Sequence, residues 1–142
     1  MNKEQLEQEL NQATDGLLMK SDIEAPFDFF YREMDEEQFS PELVAEWAGK
    51  PSGMTVETKS LDEFFRETKG VVSDTRGKTK GGDEGLQQIK DALSKLVQDV
   101  KVYCINQIGT EAFILGRTED GNYAGLRTMV IEDESSVDNG NA

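Results

Sequence analysis

The stretch "KVYCINQIGTEAFILGRTEDGNYAGLRTMVI", Lys101 to Ile131, decides the fold. It divides into "KVYCINQI", "EAFILGRT" and "YAGLRTMVI", each short and rich in β-branched or aromatic residues. Gly109-Thr110 separates the first two, and Asp120-Gly121-Asn122 separates the last two. An Asp-Gly pair between apolar runs is a strong hairpin signal, because glycine accepts the positive φ that a tight turn needs. The spacing predicts three consecutive antiparallel strands. Cys104, between Tyr103 and Ile105, is expected to be a small core-facing residue of the first strand.

Upstream, the hydrophobic period lengthens. Leu6, Leu10, Ala13 and Leu17 form one apolar stripe, with Asn2 and Gln5 as a capping pair and Gly16 as the stop. Pro26 excludes a helix, and Phe27 to Tyr31 reads as a strand. Ser40-Pro41 opens a second helix that Gly49 closes, and Trp47 within it is expected in the core. Met54 to Thr58 is a short strand candidate. Ser60 and Glu63 form a capping box ahead of Leu61, Phe64 and Phe65. Asp83 is expected to cap a helix carrying Leu86, Ile89, Leu93, Leu96 and Val100 on one stripe. Helices packed on an antiparallel sheet satisfy this order, so the expected class is α+β.

Composition narrows the chemistry. The chain has 142 residues, enough for one domain, and no apolar run long enough to span a membrane. Its polar N-terminus does not resemble a secretory signal, and one cysteine excludes an internal disulfide. A cytoplasmic location is the expectation. Histidine is absent, which removes the usual general base, zinc ligand and triad member. No cofactor is implied. Net charge is −14, and residues 1–68 hold 17 acids against 6 bases. Such a field disfavours nucleic acid and anionic membranes and steers cationic partners inward.

One segment runs against that charge. "SDTRGKTKGG", Ser73 to Gly82, ends the basic stretch 69–82, which holds 4 bases and 1 acid. Gly77-Lys78-Thr79 copies the end of a phosphate-binding loop, but that loop needs a glycine, four further residues and then Gly-Lys-Thr, directly after a buried strand. No glycine stands at that spacing, the nearest earlier one being Gly70, and Leu61 to Glu67 reads as helix. A phosphate cradle is therefore not expected.

Three stretches resemble the nuclease A inhibitor family: "ATDGLLMKSDIEAPFDFF" (Ala13–Phe30), "LDEFF" (Leu61–Phe65) and "VYCINQIGTEAFILGRTEDGNYAGLRTMVIE" (Val102–Glu132). The joint pattern of Asp15-Gly16-Leu17-Leu18, Pro26-Phe27, Gly116, Gly121 and Ala124-Gly125 carries the likeness. The resemblance implies an α-β-α sandwich with a central antiparallel sheet ending in a three-strand meander. The domain would span 1–132, with 133–142 a disordered acidic tail. It also implies a stoichiometric, non-enzymatic protein inhibitor of a magnesium-dependent, sugar-nonspecific endonuclease, monomeric when free.

In that family an acid following the serine of the segment matching "MKSDIE" reaches toward the nuclease's metal. That position falls on Asp22, with Glu24 as a second acid; a carboxylate suits a hard ion such as Mg²⁺. The family's contact loop falls on Gly70–Gly82, so Val72, Asp74, Thr75 and Arg76 are the expected contacts, and its chain end falls near Asp133. Here the chain departs from the pattern. Asp22 replaces a glutamate, Val72 and Asp74 replace a glutamine and a tryptophan, and nine residues follow Asp133. A second reading keeps the fold but gives it another protein partner, contacted through Arg76, Lys78 and Lys80. A third, a carboxylate enzyme using Asp22/Glu24 or Asp35-Glu36-Glu37, lacks a base, a nucleophile and a glycine-rich cradle.

Overall fold

A computed structural model describes residues 2–51, 54–68, 71–74, 82–107 and 109–131. Its helices are α1 (Lys3–Thr14), α2 (Pro41–Trp47), α3 (Leu61–Glu67) and α4 (Gly82–Leu96). Its strands are β1 (Leu17–Lys20), β2 (Glu24–Pro26), β3 (Asp28–Arg32), β4 (Val56–Lys59), β5 (Val71–Asp74), β6 (Gln98–Asn106), β7 (Thr110–Arg117) and β8 (Tyr123–Val130). They form two antiparallel sheets, one in the order β2-β1-β5 and one in the order β3-β8-β7-β6-β4. The class is α+β.

The meander sits at the centre of the larger sheet and is buried on both faces. Alternation along each strand sorts its side chains. Val102 and Cys104 of β6, Ala112 and Ile114 of β7, and Ala124 and Leu126 of β8 face α1, α3, α4 and the small sheet. Tyr103, Ile105, Phe113 and Leu115 face the other way, onto Val44 and Ala45 of α2. Trp47 borders that second cluster, its ring 5.9 Å from Phe30 and 5.7 Å from Phe39. The layers are therefore helix, sheet, helix.

Local signals are realised where they are side-chain hydrogen bonds. Asn2 and Gln5 form a reciprocal capping box, as do Ser60 and Glu63. Gly49 and Gly121 take φ of +76° and +84°, ending α2 and turning β7 into β8. In that turn Thr118 N–H donates to the Asn122 carbonyl.

Four elements differ from the sequence expectation. α4 starts at Gly82, so Asp83 lies within it rather than capping it, and it ends at Leu96, so Val100, expected on its stripe, lies in β6. The apolar stripe of α1 does not run through Leu17: the helix stops at Thr14, Gly16 turns at φ +78°, and Leu17 begins β1. "LLMK" is four residues of good helix formers, so neither period nor propensity marked it as a strand. The strand expected at Phe27–Tyr31 is β3, but a further strand, β2, precedes it and joins the other sheet, the two separated by the buried Phe27. Residues 71–74, expected in a loop, form β5 beside β1. The boundary expected at 132 and the tail 133–142 lie outside the described residues.

Glycine at 125 is a packing requirement. A Cβ there would stand 1.8 Å from the Ile114 carbonyl oxygen, so a methyl group would force β7 and β8 apart. Gly121 meets nothing within 4 Å and is constrained only by its φ. We expect Gly125→Ala to cost about 3 kcal/mol, the upper range for overpacking. Gly121→Ala should cost about 1–2 kcal/mol. Urea unfolding of the two variants checks the order.

Burial also sets an alkaline limit. It pushes the Cys104 thiol from 9.0 up to about 11 and the Tyr103 hydroxyl from 10.0 up to about 12. Both groups hold their protons longer when folded, so their contribution is complete below the unfolded values. It is lost as pH rises through the folded ones. Unfolding free energy should be level up to pH 8 and fall between about pH 9 and 12. A flat profile across that window would contradict the burial.

Candidate functional site

The acids expected at the site stand on and beside a three-residue turn. β1 and β2 are a hairpin with Lys20 opposite Glu24, and residues 21–23 connect them. Within the turn, Ser21 N–H donates to the Ile23 carbonyl at 2.8 Å. Two further bonds tie the turn to the residue that follows β8. Asp22 N–H donates to the Ile131 carbonyl at 2.9 Å, and Ile131 N–H donates to Ser21 Oγ at 3.0 Å. The small sheet is thus fastened to the large one at this point.

Asp22 and Glu24 are both exposed. Among the described residues, neither carboxylate takes part in a hydrogen bond or ion pair. Nearby acids behave differently. Glu111, 4% exposed, is held against Arg127 and lies 3.4 Å from Lys50 Nζ. Its Oε2 contacts the Arg127 guanidinium without hydrogen-bond alignment, so proximity of charge rather than directed bonding neutralises it. The carboxylates at 22 and 24 remain open to an outside cation. Among the described residues, no group of three or more Cys, Asp or Glu is placed to hold a metal ion of the chain's own.

The remaining expected contacts are distributed elsewhere. Val72 is 4% exposed and belongs to the core, its Cγ1 standing 2.8 Å from where a Cβ on Gly85 would be. Its side chain is buried and presents nothing to a partner. Asp74 ends β5 opposite Leu17, while Val71 at the start of β5 lies opposite Lys20. The antiparallel register therefore delivers the chain to residue 75 at the end of β1 away from the acidic turn, about 10 Å along the strand. Thr75, Arg76, Lys78, Lys80 and Asp133 lie outside the described residues. Asp133 follows Ile131 by two positions, and Ile131 is the residue bonded to the turn.

A cleft of about 460 Å³ opens at the far end of the large sheet, lined in part by Glu36, Phe39, Asp99, Tyr103 and Arg117. Asp99 there takes φ +54° at the β6 bulge. Arg117 donates to Asp99 at 2.5 Å and to Glu36 at 3.1 Å, so its cation is already matched by two carboxylates. Those contacts brace the loop before α2 against the bulge. No helix among the described residues is long and apolar enough to cross a membrane.

The sequence signal missed the backbone tie between 21–22 and 131. Those positions are 110 residues apart, and only the completed sheets bring them together.

With that geometry in place, comparison with known families is informative. The family model for nuclease A inhibitor-like proteins matches residues 4–133, and the chain belongs to that family. A search among curated proteins finds no match.

Exposed side chains without partners contribute little to folding. Asp22→Asn and Glu24→Gln, singly or together, should leave unfolding free energy within about 0.5 kcal/mol of the parent. Urea midpoints measure this, and a larger loss would mean the turn depends on those charges.

Proposed function

From membership of the nuclease A inhibitor-like family, we propose that this chain is a stoichiometric protein inhibitor of a magnesium-dependent, sugar-nonspecific nuclease. It acts by blocking the active site with an acidic surface centred on Asp22, with Glu24 beside it. The observation that carries the reading is the exposed turn, with two carboxylates at and beside it that have no partner among the described residues. A nuclease cleft must attract a polyanion, so it presents positive charge and a metal ion. A carboxylate entering that cleft takes the place of a substrate phosphate oxygen. The chain's net charge of −14 steers the encounter.

The register of β5 favours a second reading for the basic segment. Because the chain leaves β5 at the Leu17 end, residues following Asp74 start away from the acidic turn. A protein with the same fold and a different partner, contacted through Arg76, Lys78 and Lys80, would use that end instead.

The experiment is a titration into the non-specific magnesium nuclease of the source organism, following plasmid digestion. Activity should fall linearly to zero near one equivalent, and Asp22→Asn/Glu24→Gln should relieve the block. Undiminished digestion at large excess would overturn the reading. Binding without inhibition, lost on replacing Arg76, Lys78 and Lys80, would support the second.

A further inference from the structure

We propose that Ser21 is a positioning residue for the Asp22 carboxylate, holding the inhibitory turn in its binding geometry by accepting the Ile131 N–H. The inference rests on the inhibitor reading above. The turn has two bonds to the larger sheet. One is the Asp22 N–H itself, donated to the Ile131 carbonyl, and the other uses the Ser21 hydroxyl as acceptor. Together they close a ring through the backbone of Ile131 and fix both the position and the direction of the residue 22 backbone. Removing the hydroxyl leaves one bond, about which the turn can rotate.

The constraint matters because the acid is short. Aspartate has one side-chain carbon fewer than glutamate, so it cannot correct a misplaced backbone by choosing another extended rotamer. Its carboxylate goes where the turn puts it. Lys20 opposite Glu24 belongs to the regular hairpin ladder and gives the turn no such fixing. Ile131 directly follows β8, which pairs with β3 and β7 in the large sheet. Through Ser21 the acid is referred to the larger sheet rather than only to its own three-residue turn. Preorganisation of this kind improves affinity by removing an ordering cost, and it is expressed mainly in the dissociation rate.

The test compares wild type, Ser21→Ala, Ser21→Thr and Asp22→Asn/Glu24→Gln, all as full chains, against the same magnesium nuclease. Ser21→Ala should weaken inhibition about fivefold to tenfold, the scale of one neutral hydrogen bond, through faster dissociation. Ser21→Thr keeps the hydroxyl and should restore it. Amide exchange on the free protein supplies the readout independent of the nuclease: Ser21→Ala should speed exchange at Asp22 and Ile131 while protection across β6 and β7 stays unchanged. Loss of protection throughout would show general destabilisation and overturn the proposal. Wild-type affinity in Ser21→Ala, with the double acid variant relieved, would overturn it and leave the inhibitor reading standing. Full inhibition by the double acid variant would overturn both.

Discussion

The rest of the structure depends on β6, β7 and β8 being buried on both faces. With helices on each side, every side chain of the meander has an assigned layer, and a one-residue slip in pairing would exchange them all. Close strand approach enforces the same register. At Gly125 the β7 backbone occupies the space a side chain would need, so pairing Gly125 with Leu115 is possible where pairing any other β8 residue there would clash. α2 and the Phe30–Trp47–Phe39 ring cluster close one face, and α1, α3, α4 and the small sheet close the other.

The proposed contact turn lies at the seam between the two sheets rather than in a cavity. The seam is where the chain changes sheets at Phe27 and where Ile131 meets the β1–β2 turn. Under the proposed reading, a carboxylate displayed on a turn needs no pocket of its own, because the partner would supply it. The cleft beside Arg117 serves a different end, its arginine being used internally by Glu36 and Asp99.

Much of this was legible beforehand, and the parts that were not have physical reasons. The meander, the capping boxes at Asn2 and Ser60, and the helix stop at Gly49 are local signals, written within a few residues. β1 is made of Leu, Leu, Met and Lys, and its strand state comes from pairing with β2 and β5 rather than from its own preference. Val72 looked like a contact because its position in the chain matched a contact loop; one-residue alternation in β5 turns it inward instead. Asp22 and Glu24 could be named from the sequence. Their freedom from partners and the tie to Ile131 required the assembled sheets.

The contact of Val72 with Gly85 has a consequence for how such a protein can change. β5 and the first turns of α4 are clasped together, leaving no room for even one methyl group between Val72 and the helix at Gly85. The two positions can therefore change only together: a side chain at residue 85 calls for a smaller one than valine at residue 72.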